Sequence, residues 1–219
     1  RICTCVVRTV LFPLVLSLTG RAVEPGLLFH ASYDHGLDAD YAHGSATAAG
    51  VATITDGGQG VSGEALLAQH GFVGVELYKG VRYLISGNLE REAGTVEFYF
   101  KPLPGFYKNQ DSGWRRIFVC SFDKQIIDDV RLSRWFRIDF SNKADHFRLR
   151  FFEQNMHTGY VHHIQDVDPG IEEGKWYHVA YCWQGKRRVV YLDTTKVTDE
   201  TARNILPEAG AHLVIGAGP

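Results

Sequence analysis

The sequence has almost no net charge: 23 basic and 25 acidic residues give a formal charge of −2. A chain so balanced gives no electrostatic reason to expect a nucleic acid or an anionic membrane as its partner. Long apolar runs are missing as well. The apolar stretch at residues 10–18 is far shorter than the roughly 20 residues that span a bilayer, so we expect no membrane insertion.

This short apolar stretch has the features of a secretion signal. Arg1 and Arg8 supply positive charge before it, and Gly20 and Ala22 supply small residues at the −3 and −1 positions. We therefore expect residues 1–22 to be a signal peptide that is cut after Ala22. The alternative, a membrane anchor, is less favoured because the apolar stretch is short. This predicts an extracellular, secreted or periplasmic protein.

Cysteine is scarce, with four residues in the chain. Cys3 and Cys5 lie in the predicted signal, which leaves Cys120 and Cys182, both in apolar, strand-like runs. A cysteine in such a run is often a small buried hydrophobe. An oxidising compartment would also permit a disulfide, but a fold built on disulfides carries more cysteines. Two buried thiols are therefore favoured.

The motifs of common enzymes are absent. The sequence has no Gly-x-Ser-x-Gly elbow, no Gly-x-x-x-x-Gly-Lys-Ser/Thr loop and no Gly-x-Gly-x-x-Gly. Glycoside hydrolysis needs two carboxylates that flank the scissile bond, whereas Glu97 and Glu153 each stand alone in a strand pattern. We interpret both as solvated strand carboxylates. The chain is predicted not to be an enzyme, and any catalysis is expected in a neighbouring domain outside it.

What the sequence does contain is a series of alternating segments. In residues 94–102, Val96, Phe98 and Phe100 share one face of a strand, and polar residues share the other. The same pattern recurs at 136–140, 147–151, 179–183, 190–192 and 213–215. Many short strands with turns between them predict an all-β, two-sheet antiparallel β-sandwich with aromatic inner and charged outer faces.

Residues 174–197 hold the most specific pattern. They read Gly-Lys-Trp-Tyr-His-Val-Ala and, further on, Val-Tyr-Leu-Asp, with two β-rich runs around Gln184-Gly185-Lys186, which indicates a hairpin. This order resembles the central hairpin of laminin-G-like domains, which have a concanavalin A-like jelly-roll fold. Residues 27–40 resemble the opening segment of such domains in secreted bacterial proteins. Residues 213–218 resemble their penultimate strand. The resemblance implies one jelly roll over residues 26–219.

Two positions depart from the family pattern. The second turn of the hairpin is usually Asp-Gly, because glycine supplies a positive φ there, but here it is Asp193-Thr194. We therefore expect a longer turn or a turn of another type. The family's closing strand does not follow before Pro219. The domain is accordingly predicted to lack its closing C-terminal strand.

The resemblance also implies a calcium site. Many laminin-G-like domains hold calcium with a few loop carboxylates, and calcium prefers oxygen ligands on loops. Asp34, Asp38 and Asp40 lie together in the opening segment and are the candidate metal ligands. The alternative is that these side chains satisfy the turns of their own loop.

Ligand contact is expected from two long polar loops, at 105–114 and 154–160. Sugar sites combine aromatic rings, which stack on the C–H faces of the sugar, with polar groups that fix its orientation. The candidate ligand-binding residues are the aromatics Tyr107, Trp114 and Tyr160, with the polar Asn155 and His157. Trp114 could instead cover the core.

These features predict a non-catalytic extracellular binding module whose partner is a glycan or polysaccharide. One alternative is a protein-adhesion or structural module of a larger secreted protein, with a protein ligand. Another is a glycoside hydrolase of the same fold. An aromatic-lined groove would favour a glycan, a flat apolar patch would favour adhesion, and a carboxylate pair would favour an enzyme.

Overall fold

The computed structural model describes residues 24–50, 52–55, 58–67, 80–104, 115–121, 134–143, 146–155, 160–167, 170–202 and 212–216. For the strands between residues 115 and 167 it gives the backbone and the side chains of Ile138, Phe151 and Glu153. The predicted signal peptide at 1–22 lies outside the described residues. Within them, no helix has the length and apolar character needed to cross a membrane.

The described part of the chain is built from short strands. They are β1 (Phe29–His30), β2 (Tyr41–Ala42), β3 (Ala49–Gly50), β4 (Thr53–Ile54), β5 (Leu66–Leu67), β6 (Val81–Leu84), β7 (Ala93–Phe100), β8 (Arg115–Ser121), β9 (Arg134–Lys143), β10 (His146–Asn155), β11 (Tyr160–Val167), β12 (Tyr177–Gln184), β13 (Arg187–Leu192), β14 (Thr195–Thr201) and β15 (His212–Ile215).

These strands form two main sheets. The seven-stranded sheet has the order β11-β10-β9-β8-β15-β6-β3, and the four-stranded sheet has the order β14-β13-β12-β7. Two ribbons, β1-β2 and β4-β5, complete the set. All of these pairings are antiparallel. The predicted all-β antiparallel architecture is confirmed.

The core lies between the two sheets, where each strand directs alternate side chains inward. Along β7 the exposed Thr95, Glu97 and Tyr99 alternate with Val96 and Phe98, which pack against the core. In β12 the inner face is Val179, Tyr181 and Trp183, each less than 5% exposed. Tyr181 stacks on Phe151 of the facing sheet with ring centroids 5.9 Å apart. The alternation predicted for both strands is therefore confirmed.

Two tight hairpins join β12, β13 and β14. Gly185 and Lys186 form the first turn, where Gly185 has a φ of +55° and Gln184 pairs with Arg187. This position favours glycine because an L side chain rarely adopts a positive φ. The predicted hairpin is confirmed.

The second turn is also two residues long, because Leu192 pairs with Thr195, so it is not longer. Thr194, at the position of the usual glycine, does not take a positive φ, which agrees with the expected alternative, a turn of another type. Asp193 takes a φ of +51° without being glycine. Its backbone N–H donates to the His178 carbonyl at 2.7 Å, and the His178 N–H donates to Asp193 Oδ1 at 2.9 Å. Aspartate tolerates this conformation better than most residues, and the paired bonds to β12 hold it there.

Asn88 fastens the N-terminal segment to the end of β6. Its side chain is 5% exposed. Its Nδ2 donates to the carbonyls of Ser45 and Leu84, and its Oδ1 accepts the N–H of Gly44 at 2.8 Å. One amide thus satisfies three backbone groups that would otherwise be buried without partners. The segment that carries the candidate calcium ligands is anchored by this residue.

The cysteine prediction is confirmed for Cys182, which is a buried thiol. Its Sγ accepts a hydrogen bond from Thr95 Oγ1 at 3.4 Å. The side chain of Cys120 lies outside the described part of the structure, so its thiol state stays a prediction.

Candidate functional site

The outer face of the four-stranded sheet carries a strip of aromatic and charged side chains. We call the residues Glu97, Tyr99, Lys101, Trp176 and His178 the Tyr99 strip. Tyr99 and His178 are partners in the register of β7 and β12, and Lys101 and Trp176 follow on at the same end of these strands. Tyr99 is 55% exposed, so much of its ring faces solvent. Loss of exposed tyrosine surface to a ligand would be favourable.

His178 links Tyr99 to Glu97. The rings of Tyr99 and His178 have centroids 4.6 Å apart with an interplanar angle of 34°. On its other side, His178 Nε2 lies 3.5 Å from Glu97 Oε2. The contact with His178 lowers the pKa of the Glu97 carboxyl, against the opposing effect of burial. Glu97 therefore stays ionised and can accept hydrogen bonds beside an exposed aromatic ring.

Lys101 and Trp176 extend the strip toward a neighbouring loop. The Lys101 ammonium lies 4.9 Å from the centroid of the Trp176 ring, within the range of a cation–π contact. Lys101 Nζ also donates to the Gln59 carbonyl at 3.5 Å. The strip thus adjoins the loop at 58–64. None of these residues was among the ligand-binding candidates predicted from the sequence, although the alternation in 94–102 and 176–182 places them on the outer face.

The three candidate calcium ligands each accept a hydrogen bond from a backbone N–H. Asp34 Oδ1 accepts from Glu64 at 2.7 Å, Asp38 Oδ1 accepts from Ala48 at 2.8 Å, and Asp40 Oδ2 accepts from Ser32 at 2.6 Å. Burial opposes ionisation of Asp40, but the hydrogen bonds from Ser32 outweigh it and lower the pKa of Asp40. The bonds of Asp38 and Asp40 lie within the opening segment, as the alternative interpretation expects, whereas the bond of Asp34 reaches the loop at 58–64.

Among the residues that the structure describes, no group of three or more His, Cys, Asp or Glu side chains is arranged to hold a metal ion. The calcium site stays a prediction. Asp34 would connect this site to the Tyr99 strip through the loop at 58–64. The N–H of Glu64, at the end of that loop, donates to Asp34, and the carbonyl of Gln59 in the same loop accepts from Lys101.

The structure brings together two of the predicted ligand-binding residues. Asn155 and Tyr160 are direct partners in the register of β10 and β11. They are the ends of strands and not loop residues, because cross-strand pairing continues further than the polar sequence suggested. His157 belongs to the connection between them, which lies outside the described residues, as do Tyr107 and Trp114.

β8 begins at Arg115, at the other end of the sheet. Arg115 pairs with Phe140, whereas Asn155 pairs with Arg134 at the opposite end of β9. Six residues of strand separate Phe140 from Arg134, which is about 20 Å. The two loops therefore attach to opposite ends of the seven-stranded sheet. The role of these residues in binding stays a prediction.

The interpretation of Glu153 as a solvated carboxylate is wrong. Its side chain is 4% exposed and meets Arg188, which is fully buried, across the sandwich. Arg188 Nε donates to Glu153 Oε1 at 2.5 Å, and the Tyr181 hydroxyl donates to the same oxygen at 2.7 Å. Burial, followed by the nearby Glu153 charge, raises the pKa of Tyr181, so the hydroxyl remains a donor. Glu153 therefore joins the two sheets. Glu97, in contrast, is a solvated carboxylate on the outer face, as predicted.

Comparison with known proteins identifies the fold family. The family model Laminin_G_3, described as the concanavalin A-like lectin/glucanases superfamily, matches residues 81–219. No curated protein matches significantly in sequence.

Several solved structures are similar to this chain. Domain 4 of AbnA, a GH43 extracellular arabinanase from Geobacillus stearothermophilus, in complex with arabinotriose, has a TM-score of 0.58 at 15% identity, over 88% of this chain and 84% of that chain. Domains LG4-5 of the mouse laminin alpha1 chain have a TM-score of 0.47 at 13% identity, over 67% of this chain. The carbohydrate binding module CBM66 from Bacillus subtilis has a TM-score of 0.43 at 18% identity, over 76% of this chain and 86% of that chain.

This chain spans 34% of the laminin structure, about one third of its length. The arabinanase domain, in contrast, matches it over most of both chains. The predicted jelly-roll sandwich is confirmed by the two antiparallel sheets and by the fold of the arabinanase domain. The family match covers more than half of the sequence, and the chain therefore belongs to the concanavalin A-like lectin/glucanases superfamily.

Proposed function

We propose that this protein is a non-catalytic carbohydrate-binding module and that the Tyr99 strip contacts the glycan. The observation that carries the proposal is the exposed ring of Tyr99, 55% exposed, with ionised and polar groups on both sides of it. Carbohydrate sites combine an aromatic face with a few groups that fix orientation. Membership of a superfamily of lectins and glucanases supports a glycan as the ligand class.

Each residue of the strip has a separate role in this proposal. The Tyr99 ring stacks on the C–H face of one sugar unit. Glu97 accepts a hydrogen bond from a sugar hydroxyl, and His178 holds both of these side chains in place through its ring contact and its contact with the carboxylate. Lys101 donates toward the next sugar unit from its position over Trp176. Such a site on a sheet is rigid before the ligand arrives, which reduces the entropic cost of binding.

The absence of catalysis is part of the proposal. Hydrolysis of a glycosidic bond requires two carboxylates about 5–10 Å apart on either side of the bond. Glu153 supports the proposal because it is buried against Arg188 and so does not reach a substrate. Glu97 lies on the opposite side of the four-stranded sheet from Glu153, and therefore does not form a pair with it.

We further propose that the module works outside the cell. The arabinanase whose domain 4 shares this fold is an extracellular protein, and its domain was solved with arabinotriose.

A panel of neutral oligosaccharides that includes arabinotriose tests this function. The protein from residue 25 onward, with any native C-terminal extension, is titrated calorimetrically with each sugar in calcium and again in EDTA. We expect Tyr99→Ala to lose about tenfold in affinity, since stacking on one aromatic ring contributes on the order of 1–2 kcal/mol. Tyr99→Phe keeps the ring and should bind like the wild type.

Thr201→Ala is the matched control, because Thr201 is exposed on β14 at the far edge of the same sheet. Equal affinity of Tyr99→Ala and Thr201→Ala would contradict the assignment of the site. In that case the affinities of Trp114→Ala and Tyr160→Ala, which each remove an aromatic residue predicted to bind the ligand, would show whether the glycan contacts the seven-stranded sheet. Release of new reducing ends during the titrations would contradict the non-catalytic proposal.

Protein adhesion is a second candidate function, favoured by one observation. Leu103, which continues the outer side of the strip beyond Lys101, is 44% exposed. Together with Tyr99 it gives this side of the sheet an apolar component of the kind that protein interfaces use. Binding of immobilised extracellular-matrix protein that Leu103→Ser weakens, with no binding to any glycan, would replace the carbohydrate proposal.

A further inference from the structure

The outer face of the seven-stranded sheet contains Arg82, which has no partner among the residues that the structure describes. Val81 and Tyr83 of β6 are buried in the core, so Arg82 and Leu84 between and after them are directed to the outer face. His212 of β15 is the register partner of Leu84, and Val214 is that of Arg82. Arg82, Leu84 and His212 therefore form a cluster on the side of the sandwich opposite to the Tyr99 strip. We call it the Arg82 face.

Unlike Arg187 and Arg188, Arg82 has no acceptor in the part of the chain that the structure describes. Its Nε is buried and makes no hydrogen bond, and no hydrogen bond or ion pair joins Arg82 to any residue that the structure describes. Arg188 is paired with Glu153, and Arg187 is paired with Asp199. Burying part of a guanidinium without a hydrogen-bond partner is unfavourable. The free protein therefore keeps at Arg82 an unused capacity to bind an anion.

The edge strand β3 packs close to this guanidinium. Gly50 of β3 has no side chain, and a Cβ there would lie 3.8 Å from Arg82 Nε. Gly50 also has a φ of +108°, and a Cβ would collide with the carbonyl of Gly80, which favours glycine at this position. The close approach of β3 to β6 thus helps to cover Arg82 Nε without giving it an acceptor.

The neighbours of Arg82 suit a sugar. Leu84 is 48% exposed and offers an apolar surface to a C–H face. Burial, followed by the charge of Arg82, lowers the pKa of His212. Its imidazole is therefore neutral at neutral pH and can either donate to or accept from a sugar hydroxyl. The positive charge of Arg82 remains uncompensated and attracts an oxyanion.

We propose that the Arg82 face is a second carbohydrate contact that binds a carboxylated sugar unit, in which Arg82 pairs with the uronate carboxylate, His212 contacts a hydroxyl and Leu84 covers a C–H face. A guanidinium presents two parallel donors that match the two oxygens of a carboxylate. This inference rests on the proposed carbohydrate function. In this inference the Arg82 face binds an acidic sugar, and the Tyr99 strip binds a neutral sugar.

The test uses short oligogalacturonates and the same oligomers with their carboxylates methyl-esterified. Calorimetric titration of the wild type should show binding of the free acid that weakens as salt is raised. Arg82→Gln should reduce that affinity about 10- to 100-fold, the effect of a lost charge-assisted pair. Esterification should reduce it to the same extent in the wild type and have no further effect in Arg82→Gln.

Arg187→Gln is the matched control, because Arg187 is an exposed arginine already paired with Asp199 on the other sheet. It should bind oligogalacturonate like the wild type. Thermal unfolding separates a structural from a binding role: Arg82→Gln should not lower the melting temperature, because it removes a buried nitrogen that has no hydrogen-bond partner.

Three outcomes would overturn the proposal. They are unchanged affinity in Arg82→Gln, equal binding of free and esterified oligomers, and binding of a sulfated but not of a carboxylated polysaccharide. Tyr99→Ala distinguishes the two proposals. If it loses neutral sugars and keeps oligogalacturonate, both sites exist. If the wild type binds oligogalacturonate through Arg82 but no neutral sugar, the Tyr99 proposal fails and the Arg82 proposal stands.

Discussion

Replacing Arg188 with methionine is expected to destabilise the sandwich strongly. Arg188 donates to Glu153 and, through its NH1, to the carbonyls of Gly185 and Arg187. Without the guanidinium, the Glu153 carboxylate remains buried with the Tyr181 hydroxyl as its donor. Removal of one partner of a buried ion pair costs about 3–5 kcal/mol, because an uncompensated charge is left in a medium of low polarity.

The expected loss is large enough to measure by two methods. For a domain of this length, 1 kcal/mol corresponds to about 2–4 °C in melting temperature, so Arg188→Met should lower it by about 6–20 °C. Urea unfolding should give the same loss in free energy. Arg187→Met is the matched control, since Arg187 is the adjacent residue of β13 and its pair with Asp199 is exposed to solvent. Its effect should be small, because surface pairs contribute little.

A double-mutant cycle isolates the pair itself. Glu153→Leu combined with Arg188→Met removes both charges and should restore most of the lost stability, because apolar replacements of buried ion pairs are often neutral or better. A double variant as unstable as the sum of the two single variants would refute a direct coupling across the sandwich. Equal losses for Arg188→Met and Arg187→Met would refute the importance of burial.

Three further substitutions test the packing and electrostatics of the fold. Gly94→Ala places a Cβ 2.5 Å from Cζ2 of the buried Trp183 ring, and should cost about 1–3 kcal/mol in urea unfolding followed by tryptophan fluorescence. Asn88→Asp keeps the acceptor for the Gly44 N–H but replaces the Nδ2 donor with an oxygen that faces the carbonyls of Ser45 and Leu84. The free energy of unfolding should fall by about 3 kcal/mol at pH 7. The loss should be smaller near pH 4, where the carboxyl gains a proton. Asp40 has a lowered pKa, so its contribution is present above the unfolded pKa of about 3.9 and is lost as the pH falls below it. The difference in melting temperature between the wild type and Asp40→Asn should therefore shrink below about pH 4, and a constant difference from pH 7 to pH 3 would contradict this.

The strand pattern of the sequence carried most of the information about the fold. Alternation with a period of two residues identified the inner faces of β7 and β12, because a side chain in a half-buried strand must either enter the core or meet water. It also contained an unused signal. Glu153 follows Phe151 by two residues, and Arg188 precedes Val190 by two, so each charge falls on an apolar inner face. Two opposite charges at inner positions indicate a buried pair.

The candidate sites were harder to predict, because they depend on contacts between distant residues. Asp193 takes a positive φ in its turn and bonds to His178 on another strand, and no local pattern shows that bond. The cluster on the Arg82 face likewise needs β15 to lie beside β6, about 130 residues earlier in the chain. The strip at Tyr99 was visible as alternation, yet only the pairing of β7 with β12 shows that aromatic and charged residues meet there.

The place of β15 has a consequence for how the chain folds during its synthesis. Residues 212–215 pair with β6 on one side and with β8 on the other, so the last described strand occupies the interior of the seven-stranded sheet. Until it leaves the ribosome, β6 and β8 each have an open edge, and such edges can pair with other chains. The hairpins β9-β10-β11 and β12-β13-β14 can form earlier because their contacts are local. Nascent chains stalled just before residue 212 are therefore expected to engage chaperones, and release of those chaperones should follow the emergence of β15.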